Sequence, residues 1–175
     1  MRNTEQTMAD YTITSPKDIR IKSLLLSDIQ GLHTLLKKEG CIDSENQFTD
    51  EQKAIALDEI QTQIARQNKT DKQASADMLL CVTGNKYLLA DAKFNSTNVK
   101  NISSTELRSK LSCSKSLVLS DDYTYANAFY LLFKQSVLTP TQYNRLKRQF
   151  AGKPQFRFMN AIECRKLFDP KIRNK

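Results

Sequence analysis

One segment restricts the folding options of this chain more than any other. It reads Asp77-Met78-Leu79-Leu80-Cys81-Val82-Thr83-Gly84-Asn85-Lys86-Tyr87-Leu88-Leu89-Ala90-Asp91-Ala92-Lys93. Two apolar runs flank Gly84-Asn85, a turn-forming pair, so residues 77–93 read as a β-hairpin. The hairpin is closed at its open end by charge. A buried strand that ends in Asp-x-Lys needs those charges to meet each other, a metal ion or solvent, because an unpaired buried charge is costly. Asp91 and Lys93 are two residues apart and therefore share a face. Asp77 stands at the matching end of the partner strand, and the loop length decides which way it points. A two-residue loop pairs Asp77 with Ala92 and turns it away from Asp91. A three-residue loop, or a bulge near Asp77, puts both acids on one face. We expect the odd loop or the bulge.

The rest of the chain reads as helices around this hairpin. Residues 1–18 are polar and read as an arm that is mobile or loosely attached. Ser27 with Gln30 predicts a capped helix bearing Ile29, Leu32, Leu35 and Leu36 and stopped by Gly40. Thr49 with Gln52 predicts a second helix to about Asn68, with Ala56, Leu57, Ile60 and Ile64 inward. Ser103-x-x-Glu106 predicts a short helix to about Leu111, and Ser116–Leu119 a buried strand. The spacing of Tyr125, Phe129 and Phe133 predicts a long helix over about 122–137. Thr139-Pro140 opens another helix that Gly152 ends. Gln155–Met159 alternates as a strand, and Asn160 with Glu163 caps a last helix before Pro170. This order implies a single α/β or α+β domain over 19–170, with a small mixed sheet flanked by helices and a basic tail at 171–175.

Charge narrows the partner classes. The chain carries a net charge of +8, concentrated in its second half. That favours a polyanion, nucleic acid first and an anionic membrane surface second. No run approaches the ~18 apolar residues of a membrane span, and the first residues lack the apolar core of a secretory signal. A cytoplasmic location is the expectation, with export without a cleaved signal as the alternative. Cys41, Cys81, Cys113 and Cys164 lie far apart without zinc-ligand spacing, and His33 alone cannot complete such a site. They read as reduced, mostly core thiols.

Phosphodiester hydrolysis needs an activated water and a charge to neutralise the phosphate. A divalent ion held by carboxylates supplies both, and a lysine can orient the water or stabilise developing charge. Asp77 and Asp91-Ala92-Lys93 resemble the acid and acid-x-lysine elements of the PD-(D/E)XK nuclease superfamily. The resemblance covers about residues 50–120. It implies a restriction-endonuclease-like core and Mg²⁺-dependent cleavage (Mn²⁺ as substitute) of DNA, less often RNA. Asp77 and Asp91 would hold the metal, and Lys93 would position the water. Families of this group often add a glutamate from the preceding helix, and Glu59, at the edge of that helix's buried stripe, matches it best. Ala76 stands where such families often have proline. The lack of a Gln-x-x-x-Tyr element argues against the exonuclease-like branch. Glu51-Gln52-Lys53 and Asp169-Pro170-Lys171 also fit acid-x-lysine but follow no apolar strand. The alternative for the hairpin is structural: Asp77 capping a strand and Asp91 pairing with Lys93 or an arginine.

Lys100, Arg108 and Lys110 follow the motif, and Arg145, Lys147 and Arg148 crowd one helix beside Tyr143. These are the candidate contacts to a nucleic-acid backbone, with a solvated helix face as the alternative for 145–148. Homodimerisation suits double-strand cutting. Beside the nuclease stand two other functions: a non-catalytic nucleic-acid-binding module on the same scaffold, and a protein-interaction domain.

Overall fold

A computed structural model describes residues 10–168. Six strands form one mixed sheet in chain order: β1 (Ile29–Gly31), β2 (Lys53–Ile55), β3 (Met78–Val82), β4 (Lys86–Ala92), β5 (Thr124–Phe133) and β6 (Phe156–Asn160). β1 to β4 are antiparallel neighbours, whereas β5 lies parallel to β4 and β6 parallel to β5. The helices are α1 (Leu32–Lys38), α2 (Leu57–Asn68), α3 (Ser104–Leu117), α4 (Pro140–Gln149) and α5 (Ala161–Lys166). Parallel neighbours need a crossover, and α3 and α4 supply the two. The small mixed sheet flanked by helices is the α/β architecture expected from the sequence.

Both faces of the sheet are covered. Leu79, Cys81, Tyr87, Leu89, Phe129, Leu131 and Phe133 pack with Ile60 of α2, Leu107 and Leu117 of α3, Leu146 of α4 and Phe150 just after it. The alternate residues Met78, Leu80, Val82, Leu88, Ala90, Tyr130 and Leu132 pack with Leu32, Leu35 and Leu36 of α1 and Cys164 of α5. This double cover explains the misread long helix over 122–137. A strand buried on both faces shows a continuous apolar run rather than alternation, and its aromatics fall by chance at helical spacing.

Other differences are local. Ser116–Leu119 is no strand: α3 runs six residues past its expected end, to Leu117, and Leu119 is 52% exposed. The first helix starts at Leu32 rather than after Ser27, because Ile29–Gly31 pair with β2. Its N-cap, Gly31, has no side chain, and Asp50 does the capping from another segment, accepting from Thr34 N–H and Oγ1 at 2.8 Å each. Thr49 N–H does donate to Gln52 Oε1 at 3.0 Å, but a strand follows, and α2 begins only at Leu57. The second part of the N-terminal arm is packed: Ile13 is buried and bridges to Val82, and Tyr11 bridges to Phe168. Residues 1–9 and the 171–175 tail lie outside the described residues. All four cysteines are free and three are buried. No helix among the described residues is long and apolar enough to cross a membrane.

Candidate functional site

The hairpin has the odd loop. Val82 pairs with Lys86 across Thr83, Gly84 and Asn85, with Gly84 and Asn85 both left-handed (φ 83° and 52°). The register continues regularly to Met78 opposite Ala90. One step further sets Asp77 opposite Asp91, on the face that carries Leu79 and Leu89. The backbone and side chains then interlock. Asp77 N–H donates to Asp91 Oδ1 at 3.0 Å, and Ala92 N–H donates to Asp77 Oδ2 at 2.7 Å.

Asp91 is fully buried, at 0% exposure. Its Oδ2 receives two ammonium groups, Lys110 Nζ at 2.7 Å and Lys93 Nζ at 3.1 Å. Lys110 reaches in from α3. One turn later on the same helix, buried Ser114 Oγ accepts the Ala76 N–H at 2.8 Å. A single face of α3 thus grips both strands of the hairpin at the acidic end.

The electrostatics are those of crowded carboxylates. Burial, and then the Asp91 charge, push the Asp77 carboxyl up to about 7, against the pull of the Ala92 N–H and Lys110. Glu39, at the end of α1, is also raised, by burial and then by Asp58, Asp91 and Glu59. Burial depresses Lys110, but its contact with Asp91, together with Asp77 and Glu106, raises it above the ordinary lysine value.

The residues expected from the sequence are therefore only partly gathered. Asp77, Asp91 and Lys93 come together. Lys110, expected on a nucleic-acid surface, is turned inward onto Asp91. Glu59 is exposed and accepts from Gln30 Nε2 at 2.9 Å. The carboxylate whose charge reaches the pair from outside the hairpin is Glu39, which the sequence reading missed. Nothing local marks it. It is delivered by the end of α1 just before Gly40, whose left-handed turn lies against Asn95 beyond β4. Among the described residues, no three His, Cys, Asp or Glu side chains are close enough to hold a metal ion on their own.

Lys100, Arg108, Arg145, Lys147 and Arg148 are exposed. Lys147 extends over the Tyr143 ring, 5.6 Å from its centroid. A cavity of about 640 Å³ between α4 and β6 is lined by Tyr143, Lys147, Lys153 and Arg157. It adjoins one of about 690 Å³ that shares Tyr143, Phe158 and Glu163. The acid pair lines neither, and lies instead at the sheet's end beneath α3. His33 is a packed residue whose Nδ1 lies 3.0 Å from the Phe48 carbonyl.

No protein-family model, no curated protein and no solved structure matches this chain.

Proposed function

We propose that the protein is a metal-dependent nuclease cleaving nucleic acid, DNA ahead of RNA, with Asp77, Asp91 and Lys93 at its centre. One observation carries this reading: the three-residue loop that sets Asp77 beside Asp91 with Lys93 on the same face. A buried carboxyl such as that of Asp77, raised by its burial and by the charge of Asp91 opposite, is a stability cost that a purely structural role does not require.

Two protein carboxylates suit Mg²⁺, which commonly takes one or two of them and fills its other positions with water and substrate phosphate. Asp77 and Asp91 are the residues that would hold it. Bound there, the ion, or Mn²⁺ in its place, supplies charge neutralisation at the phosphate and a more acidic water. Glu39 replaces Glu59 as the third acid, acting through its charge. Lys93, already at the Asp91 carboxylate, holds a water or a phosphate oxygen near the acids. Burial and the Asp91 charge push the Asp77 carboxyl up to about 7, and a cation held by the pair would favour its charged form.

The second reading is a non-catalytic nucleic-acid-binding module, favoured by Asp91 having both oxygens occupied without any ion. A cleavage assay separates the two. Wild type, Asp91→Asn and Lys93→Ala are incubated with plasmid DNA and total RNA in Mg²⁺, Mn²⁺ or EDTA. Metal-dependent cutting lost in both variants supports the nuclease. Cutting retained by both variants refutes the residue assignment, and salt-sensitive binding without cutting selects the binding module.

A further inference from the structure

Both oxygens of Asp91 are in use. Oδ1 accepts the Asp77 amide at 3.0 Å, and Oδ2 takes Lys110 at 2.7 Å and Lys93 at 3.1 Å. Oδ2 already takes two donors, so a cation bound through that oxygen must replace one of the two ammonium groups. The Asp77 amide is fixed by the hairpin backbone. Lys93 belongs to the strand end itself, two residues from Asp91, and keeps to that face. Lys110 differs from both. It comes from α3 rather than from the hairpin, and its ammonium also lies 3.9 Å from Glu106, one turn earlier and half exposed. It thus has a second carboxylate to go to. The seat of α3 does not hang on this contact, because Leu107 and Leu117 are buried and Ser114 holds the Ala76 amide. At 2.7 Å from a carboxylate oxygen with no solvent exposure, the Lys110 ammonium supplies the positive charge that a divalent ion would supply.

Resting on the nuclease reading, we propose that Lys110 is a resident counter-cation for Asp91, which a divalent ion displaces toward Glu106. Lys110 therefore sets the ion concentration at which the site loads. The acid pair is kept neutralised and folded in low metal, at the expense of affinity. Lysine suits this role because its ammonium is a compact charge that one cation can replace with another.

The test is Mg²⁺ titration by calorimetry on wild type, Lys110→Met, Lys110→Gln and Asp91→Asn. It is joined to the ¹H–¹⁵N signal of the Lys110 ammonium, identified by its loss in the Lys110 variants. Removing the competitor should tighten Mg²⁺ binding by about tenfold or more, the worth of one charged hydrogen bond. In wild type, the slowly exchanging ammonium signal should be present in EDTA and vanish at Mg²⁺ saturation. A general gain in negative charge would tighten binding without moving that signal, and the signal is read on wild type, so it does not depend on a variant folding. Equal affinity in wild type and both Lys110 variants, or an ammonium signal that survives saturation, overturns the proposal. The nuclease reading fails separately. Mg²⁺ binding lost in Asp91→Asn but unmoved by Lys110 substitution removes only the role of Lys110. No Mg²⁺ binding by wild type or any variant removes both.

Discussion

Replacing Asp77 with Asn should make the protein more stable, and only above a certain pH. The substitution keeps the shape and an oxygen able to accept the Ala92 N–H, but removes the charge facing Asp91. The folded-state carboxyl lies at about 7 against an ordinary 3.8. Between those values the native protein holds a proton that the unfolded chain has released, so stability falls as pH rises through that window. At about 1.36 kcal/mol per pH unit, the full difference sets a ceiling of about 4 kcal/mol. Relaxation of the site and water drawn to the charged pair reduce it, and a gain of about 1–3 kcal/mol at pH 8 is expected. Urea unfolding in EDTA at pH 4.5, 6 and 8 measures it. Wild type and variant should converge toward the acid end and separate toward pH 8. With Mg²⁺ added, wild type should regain stability and Asp77→Asn should not. A variant that is destabilised, or a difference independent of pH, would refute the crowding of Asp77 against Asp91.

Ser114→Ala should cost about 1–3 kcal/mol by leaving the buried Ala76 amide without an acceptor, read as a lower urea midpoint. Gly31→Ala should cost about 1–2 kcal/mol, because a Cβ there meets the Asp50 carboxylate that caps α1; thermal unfolding by circular dichroism checks it. Replacing exposed Arg145, Lys147 and Arg148 together by Ala should weaken DNA binding. The log-affinity against log-salt slope should flatten by up to about 2.7 if all three reach phosphates, and an unchanged slope assigns them to a solvated face.

Local signals were legible and tertiary ones were not. The hairpin could be read because its turn pair and apolar runs are contiguous, and parity alone showed that the acids would meet only across an odd loop or a bulge. The caps of α4 and α5 are equally local: Thr139 accepts from Gln142 N–H, and Asn160 and Glu163 form a reciprocal box. The capping signal at Thr49 and Gln52 is a real contact, yet pairing with β1 and β3 overrides it and a strand follows. β5 misled because cover on both faces erases alternation. Glu39 escaped, and Lys110 was assigned to a nucleic-acid surface instead of to Asp91, for a different reason. Their spacing from the hairpin carries no period, and only the packing of α1 and α3 brings them to it. The same packing changes one expectation. On sequence alone, Asp91→Ala should abolish activity and leave folding nearly intact. A fully buried carboxylate holding two lysines makes that variant a folding defect as well, so Asp91→Asn is the cleaner test.

β4 is the strand where the antiparallel meander meets the parallel crossovers, and the chain's charge divides at nearly the same point. Among the described residues, 10–95 carry 11 Lys and Arg against 13 Asp and Glu, whereas 96–168 carry 12 against 4, giving nets of −2 and +8. The charge thus changes sign along the chain close to the acid pair. Arg145, Lys147 and Arg148 of α4 are exposed on the basic side of that division, so an approaching polyanion would be drawn toward α4 ahead of the acid pair.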